Sequence, residues 1–329
     1  MGPEMQKREF GSTAWSVGEI GLGAWQLGGD WGHVSDEQAL AILNSAVDNR
    51  VNFFDTADVY GAGRSESLIG AFLKERSEKV FVATKLGRLH GYPDSYSLDL
   101  FRKCTEDSLQ RLGVDSLDLT QLHCIPTKLL QDGEVFDWLR ILRDEGKIKH
   151  FGASVESMHE ALVCLEQADL TSLQIIFNIF RQKPIATLFE KAKKNNVALI
   201  IRLPLASGLL AGKFSKDSTF PPEDHRNYNR DGQMFNVGET FAGLPFELGV
   251  ELTEAVKSNM PDDYNMVQFA LRWILDYDAV SVIIPGAKSP EQVKMNISAG
   301  DKMPLTQEIH NKLSVLYNEE VEQHIRGPY

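Results

Sequence analysis

Val80-Phe81-Val82-Ala83-Thr84-Lys85-Leu86 and Leu117-Asp118-Leu119-Thr120-Gln121-Leu122-His123-Cys124 are short, apolar and rich in β-formers, and residues 98–112 between them carry the pattern of an amphipathic helix. Two buried strands flanking one helix form a unit whose strands run parallel, because a helical crossover returns the chain to the same edge of the sheet. The alternation extends in both directions. Strand-like runs fall at 19–25, 51–57, 148–155, 172–178, 198–205 and 280–285, with helical patterns such as 35–49 and 158–167 in the gaps. That makes eight strand–helix units, the number that closes a (β/α)8 TIM barrel.

Local punctuation agrees with this periodicity. Ser35 with Gln38 has the form of a helix capping box, and Gly113 after Leu112 that of a helix stop. The rival architecture is an open doubly wound sheet, but its dinucleotide fingerprint, GxGxxG after the first strand, is missing from residues 21–29. Residues 7–17, around Gly11-Ser12, suit a hairpin that plugs the barrel bottom. Residues 213–243, rich in Gly, Pro, Asp and Asn, follow the seventh strand and suit a lid or specificity loop. No linker divides the chain, so residues 1–329 are expected to form a single domain.

The 329 residues carry a formal charge of -12, which argues against a sequence-independent grip on nucleic acid. Cys104, Cys124 and Cys164 are widely spaced and form no CxxC pair, so neither a disulfide framework nor a zinc site is expected. Residues 1–10 are charged and lack the apolar core of a signal peptide, and no apolar run approaches about 18 residues. A cytoplasmic, non-membrane protein is the expectation, with a monomer as its simplest state.

In such a barrel the chemistry sits where strands end. Four polar residues close the second, third and fourth strands or follow them directly: Asp55, Tyr60, Lys85 and His123. Singly, each has an ordinary reading: a helix cap, a wet loop aromatic, a solvated strand end, a core histidine. As a set they suit hydride reduction of a carbonyl, which leaves an alkoxide in need of a proton and of stabilisation. Tyr60 is the natural donor, but a free tyrosine titrates near 10, and a nearby cation, Lys85, is expected to lower that value. Asp55 would hold the ammonium, and His123 would orient the carbonyl. No GxSxG or HExxH occurs, and a metal site is not expected.

Asp55, Tyr60, Lys85 and His123, in this order and at these strand ends, resemble the catalytic tetrad of the aldo-keto reductase family. The resemblance also runs through Gly21-Leu22-Gly23, Gly152-Ala153-Ser154, residues 203–210 and Ile284-Pro285-Gly286-Ala287-Lys288, and it is closest to the bacterial branch with Pro-Gly-Ala-Lys after strand eight. It implies reduction of small aldehydes or ketones with NADPH preferred and NADH as the alternative cofactor. It also implies a cofactor groove built from Gly23, Ala24, Trp25, Asp55, Ser154, Gln174, Arg202, Leu203, Pro204, Leu205, Ser207, Gly208, Leu210, Gly286, Lys288, Gln292 and Asn296. Trp25, Trp31 and Tyr92 are the expected substrate walls, suited to a carbonyl compound with an apolar body.

Three positions depart from the family pattern. Val155 stands where many relatives have Asn, Arg202 where many have an aromatic that stacks on nicotinamide, and Gln292 where other branches have a phosphate-reading Arg. A planar guanidinium can also stack. Beside the ring, Arg202 would disfavour the cationic oxidised form, and Lys288 would carry the recognition of a 2′-phosphate. The competing reading is a regulatory subunit that keeps the cofactor site but turns over slowly, as channel-coupled relatives do.

Overall fold

A computed structural model describes residues 5–329; the first four residues, part of the leader reading, lie outside them. The strands are β1 (Lys7–Glu9), β2 (Ser16–Gly18), β3 (Leu22–Gly23), β4 (Phe53–Asp55), β5 (Phe81–Leu86), β6 (Leu117–His123), β7 (Ile148–Ser154), β8 (Ser172–Ile176), β9 (Ala198–Arg202) and β10 (Val280–Ile283). β3 to β10 pair in parallel, each with the next in sequence. Parallel bridges from Ile20 to Ile283 and from Gly23 to Gly286 join the first barrel strand to the last. The eight runs read from sequence are therefore the eight staves of a (β/α)8 barrel.

Alternation along each strand explains where its polar residues go. Phe53, Phe81, Ala83, Leu119, Ala198, Ile200, Val282 and Ile284 point inward and pack together, whereas Phe54, Val82, Leu122 and Leu199 pack outward against the helices. With a side-chain period of two, Asp55, Lys85, His123 and Arg202 are the inward residues one or two steps further along β4, β5, β6 and β9. The lower barrel is thus apolar and its upper rim carries charge.

The hairpin expected at residues 7–17 is present as β1 paired antiparallel with β2. Phe10 and Val17 join the inward cluster, with Trp15 packed against it and stacked on Phe81 at 4.4 Å. Arg8 fastens this stopper. It donates to Glu19 Oε2 at 2.8 Å and to the carbonyls of Leu275, Tyr277 and Val280, at and just beyond the C-terminus of helix Met266–Leu275, where a cation is favoured. The helix punctuation also stands: Ser35 and Gln38 form a reciprocal capping box on Asp36–Asp48, and Gly113, at φ 68°, ends Leu98–Leu112. Among the described residues no helix is long and apolar enough to cross a membrane.

Candidate active site

Tyr60 is placed by a tight approach of two loops. A side chain on Gly28 would meet the Tyr60 carbonyl carbon at 2.6 Å, and one on Gly61, already at φ 62°, would meet Gly28 O at 2.5 Å. Only glycines let the loop after β3 press against the loop after β4. The contact leaves Trp25 stacked on Tyr60 at 5.9 Å between ring centroids.

Lys85 Nζ lies 2.5 Å from Asp55 Oδ2, donates to Thr56 O at 2.8 Å, and reaches Tyr60 Oη at 3.3 Å. Gln174 Nε2 donates to the other Asp55 oxygen at 2.6 Å. All four expected residues therefore converge, with the His123 ring edge-on to Tyr60 at 5.8 Å. Removing either member of the buried Lys85–Asp55 pair leaves an uncompensated charge, at a cost of about 3–5 kcal/mol.

The titration of Tyr60 runs opposite to the sequence expectation. Burial pushes its phenol well above 10, and the carboxylates of Asp55 and Glu239 push the same way. The reason is geometric: Lys85 spends its charge on Asp55, so the pair as a whole presents little net charge to the phenol. Tyr60 is a proton-bearing group at neutral pH. Burial also pushes the Lys85 ammonium below its ordinary value against the pull of Asp55, and holds His123 well below 6.5, as a neutral imidazole.

Asp55, Tyr60, His123 and Gln174 close the inner end of a cavity of about 960 Å3, with Lys85 buried behind them. From Tyr60 it runs past Ser207 and Gly208 to the turn at Gly286, Ala287 and Lys288. Gly23, Trp25, Asp55, Gln174, Arg202, Leu203, Pro204, Leu205, Gln292 and Asn296 line it too, as do Trp31 and Tyr92. Ala24, Ser154 and Leu210 are buried and do not line it. Gln292 and Asn296 brace the turn: Lys288 N donates to Gln292 Oε1 at 2.7 Å, and Asn296 Nδ2 donates to Gly286 O at 3.2 Å.

Several lining residues were not foreseen. Arg88 follows β5, Glu156 follows β7, and Arg226, Phe235 and Glu239 come from the loop after β9. That loop crosses the barrel mouth and is tied to the loop after β3, with His225 N donating to Asp30 O at 2.9 Å and the His225 ring 4.3 Å from Trp31. Strict strand alternation would send the Cys124 side chain to the face opposite His123. Cys124 has φ 49°, which breaks the strand alternation, and its thiol lines the cavity, pushed up to about 12 by burial. Cys124, Glu156 and Glu239 bring donor atoms within 4.8 Å of one another, but Arg88 and Arg202 already occupy the neighbourhood of Glu239.

The two unusual residues Val155 and Arg202 meet: Arg202 Nη2 donates to Val155 O at 3.2 Å. The contact is to the backbone carbonyl of Val155, and the Arg202 Nε stays buried without a hydrogen-bond partner on the cavity wall.

The profile of one family matches residues 19–318, nearly the whole chain, and it is that of the aldo/keto reductases. This chain is a member of the aldo/keto reductase family. The reductase is 29% identical over 301 residues to aldo-keto reductase YhdN of Bacillus subtilis, covering 88% of this chain and 87% of that protein. It is 28% identical over 335 residues to pyridoxal 4-dehydrogenase of Microbacterium luteolum, covering 89% and 92%. Its fold matches the glycerol dehydrogenase AKR11B4 of Gluconobacter oxydans with a TM-score of 0.79 at 28% identity, covering 99% and 98%. The reductase is accordingly an NAD(P)-dependent oxidoreductase of carbonyl compounds.

Behind the tetrad of this reductase lies a carboxyl group in an unusual setting. Asp58 is buried, neither carboxyl oxygen has a hydrogen-bond partner of normal geometry, and burial together with Glu66 raises its value from 3.8 to about 7, against Arg111 and Lys85. The folded chain thus holds a proton where the unfolded chain has lost it, so this group's contribution to stability falls as pH rises from about 4 to about 7. Asp58→Asn should flatten that slope and melt higher than the wild type at pH 8. Thermal melts at pH 5 and pH 8 check this, and an equal slope in both proteins contradicts it.

Proposed function

We propose that this reductase uses NADPH to reduce small aldehydes and ketones, reversibly, with Tyr60 as the proton donor. The observation that carries the reading is the run of contacts from Asp55 through Lys85 to Tyr60, beside a neutral His123, at the inner end of a groove that reaches Lys288. The bound cofactor would supply the hydride to the carbonyl carbon. The Tyr60 hydroxyl gives its proton to the carbonyl oxygen as the alcohol forms, and Lys85, though paired with Asp55, donates a hydrogen bond toward the phenolate oxygen left behind. His123 orients the carbonyl as a neutral hydrogen-bonding group.

The groove suits an extended dinucleotide. Gln174 and Arg202 would flank the nicotinamide half, with the orphan Arg202 Nε facing it, since Ser154 is recessed. Residues 203–208 turn through left-handed backbone at Leu203, Ala206 and Ser207, a tight course that would bring the main chain close to the pyrophosphate. Lys288 would meet the 2′-phosphate; burial and then the nearby Arg226 hold its ammonium below the ordinary lysine value. The aldo-keto reductase yakc [NADP(+)] of Schizosaccharomyces pombe, 26% identical over 295 residues, supports the phosphate-bearing cofactor. Trp25, Tyr92 and Phe235 supply apolar substrate walls and Arg88, Glu156 and Asn236 polar ones, so modest, partly polar carbonyls suit the pocket better than purely apolar ones.

Steady-state reduction of an aldehyde and ketone panel with NADPH tests the reading, and turnover of at least one member is expected. A folded protein that binds NADPH yet turns over none of them would favour the regulatory reading. That second reading has one observation behind it, 29% identity over 323 residues to a probable voltage-gated potassium channel subunit beta of Arabidopsis thaliana.

A further inference from the structure

Glu239 is buried, 2% exposed, in the loop after β9, and its carboxylate sits between two guanidinium groups. Arg88 Nη1 donates to both oxygens, at 3.0 and 3.2 Å, and Arg202 Nη1 lies 3.4 Å from Oε1. The backbone is held as well. Ser207 Oγ donates to Glu239 O at 3.1 Å and accepts from Phe241 N at 3.1 Å, which clamps this part of the loop to the segment after β9. Glu239 is therefore a fixed charge rather than a mobile one. Burial pushes its carboxyl up, but Arg88 and Arg202 hold it below the ordinary glutamate value, so it stays ionised.

We infer that Glu239 is a positioning residue for the cofactor: shared between Arg88 and Arg202, it fixes Arg202 against the nicotinamide half and offsets part of the positive charge there, so that Arg202 offers a flat surface with less repulsion of the oxidised ring. This inference rests on the cofactor reading given above and adds an assignment for a loop residue. The physical need for a counter-ion is plain. Arginine cannot discharge at accessible pH, and two like charges a few ångströms apart in a water-poor cavity repel strongly. A lone Arg202 would thus bias the site toward the reduced, neutral ring. With Glu239 between them, Arg88 and Arg202 present one net positive charge rather than two, and the bias is correspondingly smaller. The influence of Glu239 already extends to the chemistry, since its charge is among those that hold the Tyr60 proton on. The loop after β9 thereby sets the redox preference of the bound cofactor as well as the shape of the pocket.

The test is the ratio of dissociation constants for NADP+ and NADPH, measured by equilibrium titration at low salt, where charge effects are least screened. Glu239→Gln keeps the shape and leaves the charges of Arg202 and Arg88 without their shared carboxylate, so the ratio should rise roughly tenfold, the size of one unscreened charge contact in a partly wet site. Glu239→Asp should stay near the wild-type ratio. Arg202→Gln, which leaves Glu239 unopposed on that side, should lower the ratio, and the double variant Glu239→Gln/Arg202→Gln should return it toward the wild type. A ratio unmoved in Glu239→Gln, or raised equally in the Arg202→Gln background, overturns the assignment. If Glu239→Gln does not fold, the fall expected of Arg202→Gln decides alone: no fall overturns it. Wild-type protein that binds neither cofactor form would instead overturn the cofactor reading itself.

Discussion

Tyr60→Phe should lower kcat for carbonyl reduction by roughly 10^2–10^4-fold, the usual worth of a positioned general acid, while leaving the affinity for NADPH within about twofold. At neutral pH the Tyr60 phenol is kept protonated by burial and by the Asp55 and Glu239 carboxylates. Neutral His123 and the Lys85 ammonium, which is engaged by Asp55, are poorly placed to replace it. Phenylalanine preserves the stack on Trp25 and the packing against His123, so the variant isolates the hydroxyl. KM for the carbonyl should change less than kcat, because the hydroxyl acts chiefly as the oxygen becomes basic. Stopped-flow measurement of hydride transfer checks this, and a rate within threefold of the wild type would remove Tyr60 from the chemistry.

Lys288→Ala should weaken NADPH by roughly 10–100-fold and NADH by less than about threefold. The estimate takes a charge-assisted contact with a phosphate at about 1.5–3 kcal/mol. Lys288 is the cation in the turn 286–289, its backbone is pinned by Gln292, and Ser289 caps the helix Pro290–Ile297 just behind it. Arg226 stands nearby but is engaged with Asp224 through two contacts, at 2.9 and 2.6 Å, so it is poorly free to substitute. Equal losses for the two cofactors, by titration of quenching of the tryptophans, would move the phosphate site elsewhere.

The barrel was legible because its signal is repeated eight times and each repeat depends only on local period. Asp55, Lys85 and His123 could be read for the same reason: each closes an apolar strand, and the alternation sends it inward. Arg88, Glu156 and Glu239 were not legible. Arg88 and Glu239 lie 151 residues apart, both in loops, and no local pattern declares that they touch. The sign of the Tyr60 shift was missed because it is set first by how deeply the phenol is buried and then by the Asp55 and Glu239 carboxylates, the second of which comes from a distant loop that no local pattern declares. Cys124 escaped because a positive φ at a single residue cancels an alternation that holds for the seven before it.

The bridge between Ile20 and Ile283, with Arg8 reaching the carbonyls at 275–280, bears on how this chain reaches its native form. These contacts span more than 260 residues, so the seam joins only after almost everything between has been made and ordered. Until then β3 and β10 are bare edges, each able to pair with another chain. Truncations that remove β10 should therefore aggregate rather than give a smaller soluble core, and refolding yield should fall with protein concentration before any loss of secondary structure is seen.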